Sequence, residues 1–153
     1  MIAQHEIRLA FDADAESIAS MSRDCIEYGL SWSWRPVRVR RSIADAATNV
    51  VVCPRSNGLG GFAIMKYGDE EGHLLLLAVD AHLRRRGIGS ALMSWLESTA
   101  RTAGLGVIRL ETRRGNLAAQ AFYGRLGYRA VARVRGWYGG VEDGVRFAKD
   151  LWG

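Results

Sequence analysis

Apolar residues recur along this chain with two different periods, and the switches between them mark out the elements. Residues 6–11 read as a short first strand. Residues 14–27 follow as a helix, with Ile18, Met21, Cys25 and then Tyr28 at helical spacing behind Asp14, a suitable N-cap. Residues 29–35 (GLSWSWR) break the pattern, and residues 36–47 predict a second helix with Pro36 in its first turn. Residues 49–53 and 61–67 read as strands joined through Ser56-Asn57-Gly58, and residues 69–72 as an acidic turn. Residues 73–79 form an unbroken apolar run, the pattern of a strand buried on both faces.

A long amphipathic helix comes next, with Ile88, Ala91, Leu92, Trp95, Leu96 and Thr99 on one face and Gly104 as its stop. Residues 107–112 predict a strand, and residues 116–126 a helix closed by Gly127. The last two strands cover residues 128–134 and 145–151, on either side of a glycine-rich stretch at 136–144. The predicted order is β-α-α-β-β-β-α-β-α-β-β, an α/β class fold with a mixed sheet. No repeat, low-complexity tract or linker divides the chain, so residues 1–153 are expected to form a single domain.

Composition narrows the function classes. The chain is 48% hydrophobic and 24% charged, as in a globular protein. The apolar run at 74–79 is far shorter than the roughly 20 residues a membrane helix needs. Residues 1–10 lack the basic cluster and apolar core of a secretory signal. Cys25 and Cys53 stand alone, without metal-ligand spacing, and read as reduced residues of a cytoplasmic protein with no metal. The net charge of +5 favours anionic partners without choosing among nucleic acid, phosphorylated cofactors and acidic proteins. Its arginines cluster at Arg35, Arg38, Arg40 and Arg41, at Arg84 to Arg86, and at Arg113 and Arg114.

The second cluster carries the chemistry. Arg84, Arg85, Arg86, Gly87, Ile88, Gly89 and Ser90 lie between a buried strand and the start of a helix. A helix N-terminus offers unpaired N–H groups and a positive dipole end. Glycines at 87 and 89 let a phosphate come close to that backbone, and the arginines add charge-assisted contacts. The plainer alternative is a basic turn whose glycines serve only the backbone. No Gly-Lys-Ser/Thr or third glycine makes a P-loop or dinucleotide fingerprint. Nucleic acid is disfavoured, because Trp95 is assigned to the core rather than to a base-stacking platform.

Residues 79–92 (VDAHLRRRGIGSAL) resemble the cofactor motif of the GNAT acetyltransferase superfamily, Q/R-x-x-G-x-G/A. Residues 116–128 (NLAAQAFYGRLGY) are similar to its second signature, N-x-x-A-x-x-F/L-Y-x-x-x-G-F/Y. The resemblance covers roughly residues 61–151. Ala81 stands where the family usually has Pro, and Tyr128 where it usually has Phe. Residues 110–123 look most like the bacterial ribosomal-protein alanine N-acetyltransferases of the Rim type.

This resemblance implies acetyl-CoA as cosubstrate, with its pyrophosphate on residues 84–90. It also implies a splay between the strands at 74–79 and 107–112, which frees Leu77, Ala78 and Val79 for the pantetheine arm. Asn116 joins that arm while capping its helix. Glu111 matches the family's base, and Tyr123 the acid that serves the departing sulfur. The competing roles are a surface carboxylate paired with Arg109 or Arg113, and an aromatic packed at the core edge. Phe122, at the spacing of Ala118 and Leu126, is expected to take the core side and turn Tyr123 into the cleft. His73 reads as a strand-edge residue.

The acceptor is expected between residues 28–41 and residues 135–144, on one or more of Trp32, Trp34, Trp137 and Tyr138. Nearby arginines favour an acceptor with negative charge beside its amine. The function implied is acetyl transfer to a primary amine, of a protein N-terminus or a small molecule, by direct attack in a ternary complex. The alternative is a CoA-binding or nucleic-acid-binding module without transfer. Neither the oligomeric state nor the acceptor is encoded legibly.

Overall fold

The computed structural model describes residues 5–153, so the start of the 1–10 stretch lies outside the described residues. The elements follow the predicted order: β1 (Arg8–Leu9), α1 (Ala15–Cys25), α2 (Pro36–Ala44), β2 (Thr48–Arg55), β3 (Gly58–Tyr67), β4 (Glu71–Val79), α3 (Ile88–Thr102), β5 (Val107–Arg113), α4 (Leu117–Arg125), β6 (Arg129–Tyr138) and β7 (Glu142–Asp150). The strands make one sheet in the order β1-β2-β3-β4-β5-β7-β6. The pairing of β4 with β5 is parallel, while the other neighbours are antiparallel.

Both sheet faces are covered. Alternate residues of β2 and β3 supply the two halves of the core. Val51, Ala63 and Met65 pack with Ile88, Leu92 and Leu96 of α3, while Val50, Val52, Phe62 and Ile64 pack with Ile18 of α1 and Val39 of α2. Pro36 opens α2 as the sequence predicts. Asp14 sits at the start of α1 but does not cap it. Its carboxylate is taken by the N–H of Phe11 and the guanidinium of Arg8. The glycine-rich stretch is less open than expected: β6 and β7 run into it, leaving residues 139–141 as the turn.

Strand β4 departs most from its sequence pattern. Its residues alternate between buried and half-buried, rather than being buried throughout. Ile64 faces Leu76 and Met65 faces Leu74 across the β3 pairing, so Leu75 is an extra residue and forms a bulge. Register with β5 ends at Leu74 opposite Leu110. Beyond that pair the strands part, and the backbone of residues 75–79 has no strand partner on its β5 side. This is the expected splay.

Candidate active site

The parted strands open a cleft of about 1420 Å³. At one end lies the turn into α3. Arg85 has φ 65° and Gly87 φ 85°, so the chain turns through two left-handed residues before the helix begins. Glycine meets that demand without a Cβ penalty. Arg84, Arg85, Gly87, Ile88, Gly89 and Ser90 line the cleft, whereas Arg86 does not. The Arg86 carbonyl lies 2.5 Å from Nε2 of His5. Gly89 has a second reason to be glycine, because an added Cβ would stand 3.0 Å from the Phe122 ring.

Leu77, Ala78 and Val79 line the middle of the cleft together with Asn116. Asn116 caps α4, its Oδ1 accepting from the N–H of Ala119 at 3.1 Å. That bond leaves its Nδ2 free to donate. The loop, the splayed strand and the asparagine thus share one continuous wall.

Glu111 lies near the point where β4 and β5 diverge, with its side chain only 3% exposed. Its Oε1 accepts from Nε2 of His73 at 2.6 Å. Its Oε2 accepts from Nε of Arg146 at 2.7 Å and from Arg109 at 3.3 Å. Burial pushes this carboxyl up, but the bonds from His73 and Arg146 outweigh it and hold the group below its ordinary range. An ionised carboxylate can only accept, so Nε2 of His73 carries the proton in this bond. When the imidazole is neutral, its lone pair is then on Nδ1, which has no hydrogen-bond partner among the described residues. His73 lines the cleft, half-buried against Trp137. It is therefore a member of the site that the sequence pattern missed.

Tyr123 also reaches the cleft, but the expected division of labour on α4 is not kept, since both Phe122 and Tyr123 pack on the core cluster and both line the cleft. Tyr123 is 6% exposed and belongs to the core cluster, while Phe122 is half-buried and Ala118 exposed. The Tyr123 ring packs edge-on against Phe122 and Tyr128, at centroid distances of 5.0 and 5.8 Å. Burial, and secondarily Tyr138, raise its phenol well above the usual range. Its hydroxyl makes no hydrogen bond among the described residues, yet the residue lines the cleft.

The α1–α2 connection and the β6–β7 hairpin also wall the cleft. Trp34, Trp137 and Tyr138 line it, but Trp32 does not. Trp32 packs on the α1–α2 core, donates from Nε1 to the Ala19 carbonyl at 3.2 Å, and is flanked by the guanidinium groups of Arg23 and Arg35. Among the described residues no cluster of three or more His, Cys, Asp and Glu is placed to hold a metal, and no helix is long and apolar enough to cross a membrane.

The chain matches the Acetyltransferase (GNAT) family over residues 15–128. It is 34% identical over 93 residues to the ribosomal protein bS18-alanine N-acetyltransferase of Salmonella typhimurium, covering 59% of this chain and 63% of that one, less than two thirds of the relative. The crystal structure of Ard1 from Thermoplasma volcanium superposes with a TM-score of 0.83 at 24% identity, over 99% of this chain and 100% of that one. Arabidopsis thaliana NAA60 in complex with acetyl-CoA superposes with a TM-score of 0.84 at 19% identity, over 98% and 100% of the two chains. At these identities the two structures establish a shared fold.

Proposed function

The chain belongs to the GNAT acetyltransferase family, and from that premise we propose that it transfers acetyl from acetyl-CoA to a primary amine, by direct attack in a ternary complex. The observation that carries this reading is one cleft joining the loop at 84–90, the parted β4 backbone, His73 paired with Glu111, and Tyr123. NAA60 was crystallised with acetyl-CoA. The acceptor is a protein N-terminal amine, as in the Salmonella relative, or a small-molecule amine. The whole of residues 1–153 is read as one acetyltransferase domain. Its setting is a reducing cytoplasm, in keeping with the free thiols of Cys25 and Cys53.

The residues fit the cosubstrate. N–H groups at the start of α3, with Arg84 and Arg85, suit its pyrophosphate. The unpaired β4 backbone and Nδ2 of Asn116 suit its amide-bearing arm, with a β4 N–H available to the carbonyl oxygen. Bound there, it supplies an activated acetyl carbon and a thiolate leaving group.

His73 accepts the proton of the incoming amine at Nδ1, directly or through a water. Glu111 fixes the tautomer and stabilises the imidazolium that results. It acts through His73 as a positioning residue, a change from the role of base expected for it. Three donors already occupy its oxygens and hold it ionised, which makes it a weak proton acceptor. Tyr123 donates a hydrogen bond to the sulfur as the carbon–sulfur bond breaks. A thiol titrates near ~8.5, so complete transfer from a phenol raised by burial is uphill, and hydrogen bonding is the larger part of its help.

The experiment is acetyl-CoA turnover, followed by thiol release and by the mass of the acceptor, over peptides with free α-amines and small amines. Acceptor-dependent thiol release matched by acetylated amine is expected. Tight CoA binding with no acetylated amine would instead make the chain a binding module.

A further inference from the structure

We infer that the acceptor carries a carboxylate close to the amine that is acetylated, and that Arg38 receives it; this rests on the amine-acetylating reading above. The arginines in and around the cleft are not equivalent. Arg113 is paired with Glu142, and Arg109 and Arg146 with Glu111. Arg38 lines the same cleft and is exposed, and no carboxylate among the described residues comes within salt-bridge distance of it.

Its position is nevertheless fixed. The guanidinium carbon lies 3.8 Å from the centroid of the Trp34 ring, and one N–H donates to Oγ of Ser33 at 3.1 Å. The indole face and Ser33 thus hold the guanidinium, and its remaining N–H donors have no hydrogen-bond partner among the described residues. Ser33 in turn donates to Glu27, but that carboxylate is buried and already accepts from Ser22, from the backbone N–H of Ser33 and from that of Trp34. It therefore holds the loop in shape and does not neutralise Arg38 by contact. Arg38 also sits in the first turn of α2, whose N-terminus carries no side-chain cap and whose dipole is positive there. A preorganised, uncompensated cation at the mouth of an amine site selects a neighbouring anion.

The carboxylate can come from two sources: an aspartate or glutamate at the start of a peptide, or the acid group of a small amino acid. The test measures the acceptor constant for amidated peptides beginning with Asp, Ala or Lys, and for 4-aminobutyrate against butylamine, at saturating acetyl-CoA. Wild type is expected to favour the carboxylate-bearing member of one series by about tenfold or more, the scale of one partly screened charge-assisted bond. The preferred series identifies the source. Arg38→Met should erase the preference and Arg38→Glu should shift it towards the lysine peptide, whereas a purely structural role would weaken all acceptors alike. In wild type, without any substitution, the preference should shrink as salt rises. If no acceptor turns over, the transfer reading fails, and Asp and Lys peptide binding to CoA-loaded protein by tryptophan fluorescence still decides the charge preference. Equal constants for acidic and neutral acceptors, or a preference that survives Arg38→Met, would overturn the assignment.

Discussion

His73 and Glu111 are 38 positions apart in sequence and share a 2.6 Å hydrogen bond at the point where β4 and β5 separate. Nε2 of His73 is engaged and Nδ1 has no hydrogen-bond partner among the described residues, which is why the proposed mechanism puts the proton acceptor on the histidine. His73→Gln retains a polar side chain but removes the imidazole. It is expected to lower turnover by ~10²-fold, the usual scale of general-base help, without weakening acetyl-CoA binding. Turnover within a few fold of wild type, where chemistry limits the rate, returns the base role to another group.

The same cluster makes a pH-dependent contribution to stability. The carboxyl of Glu111 is held below its ordinary value of 4.5 in the fold. A depressed carboxylate stabilises the protein fully above its unfolded value and ceases to do so as pH falls through the lower, folded value. Glu111→Gln should therefore lower the denaturant midpoint at neutral pH, with the gap to wild type narrowing once pH drops below about 4.5. A gap that stays constant into the acid range would show that the cations around Glu111 do not stabilise its charge.

Tyr123→Phe separates catalysis from packing. The hydroxyl has no hydrogen-bond partner among the described residues, while the ring is wedged between Phe122 and Tyr128. The variant should keep the thermal midpoint of wild type and its affinity for acetyl-CoA, and lose ~10-fold to ~10²-fold in turnover. A marked loss of stability would mean that the hydroxyl has a structural partner, such as a buried water.

What the sequence made legible was local. Pro36 at a helix start and Asn116 as a cap each act within one turn, and both stand where the pattern put them. The glycine-bearing turn at 84–90 was readable for the same reason, since its residues are contiguous. The bulge at Leu75 was not, because four consecutive leucines look alike whichever face each one takes. On α4 the spacing of Phe122 with Ala118 and Leu126 misled in part, because Ala118 is exposed and Tyr123 is the more buried aromatic. His73 was passed over because its meaning comes from a partner on another strand. Trp32 and Trp34 alternate as expected and pack on the same core cluster, yet only Trp34 reaches the cleft.

Arg113 ties together the two segments that wall the acceptor end. It lies at the end of β5, is 9% exposed, and donates to the carbonyls of Ile26 and Tyr28 at 2.8 and 2.7 Å. On its other side it meets Glu142 at 3.3 Å, and its guanidinium lies 3.9 Å from the Tyr28 ring and 5.5 Å from that of Tyr138. The α1–α2 connection and the β6–β7 hairpin are thus joined through one side chain. A lysine has one ammonium and cannot reproduce a planar fork spanning two carbonyls and a carboxylate. Arg113→Lys should let the two segments move apart, raising the acceptor Michaelis constant several-fold while the acetyl-CoA constant holds, because the bonds of Arg113 go to Ile26, Tyr28 and Glu142 and none goes to residues 84–90. Arg113→Met removes every one of these bonds and should cost about 1–3 kcal/mol of folding stability, as expected when part-buried carbonyls lose a charged donor. Steady-state kinetics in both substrates, with chemical denaturation of the two variants, checks the split. If the acetyl-CoA constant rises as much as the acceptor constant, Arg113 supports the cleft as a whole and not its acceptor end.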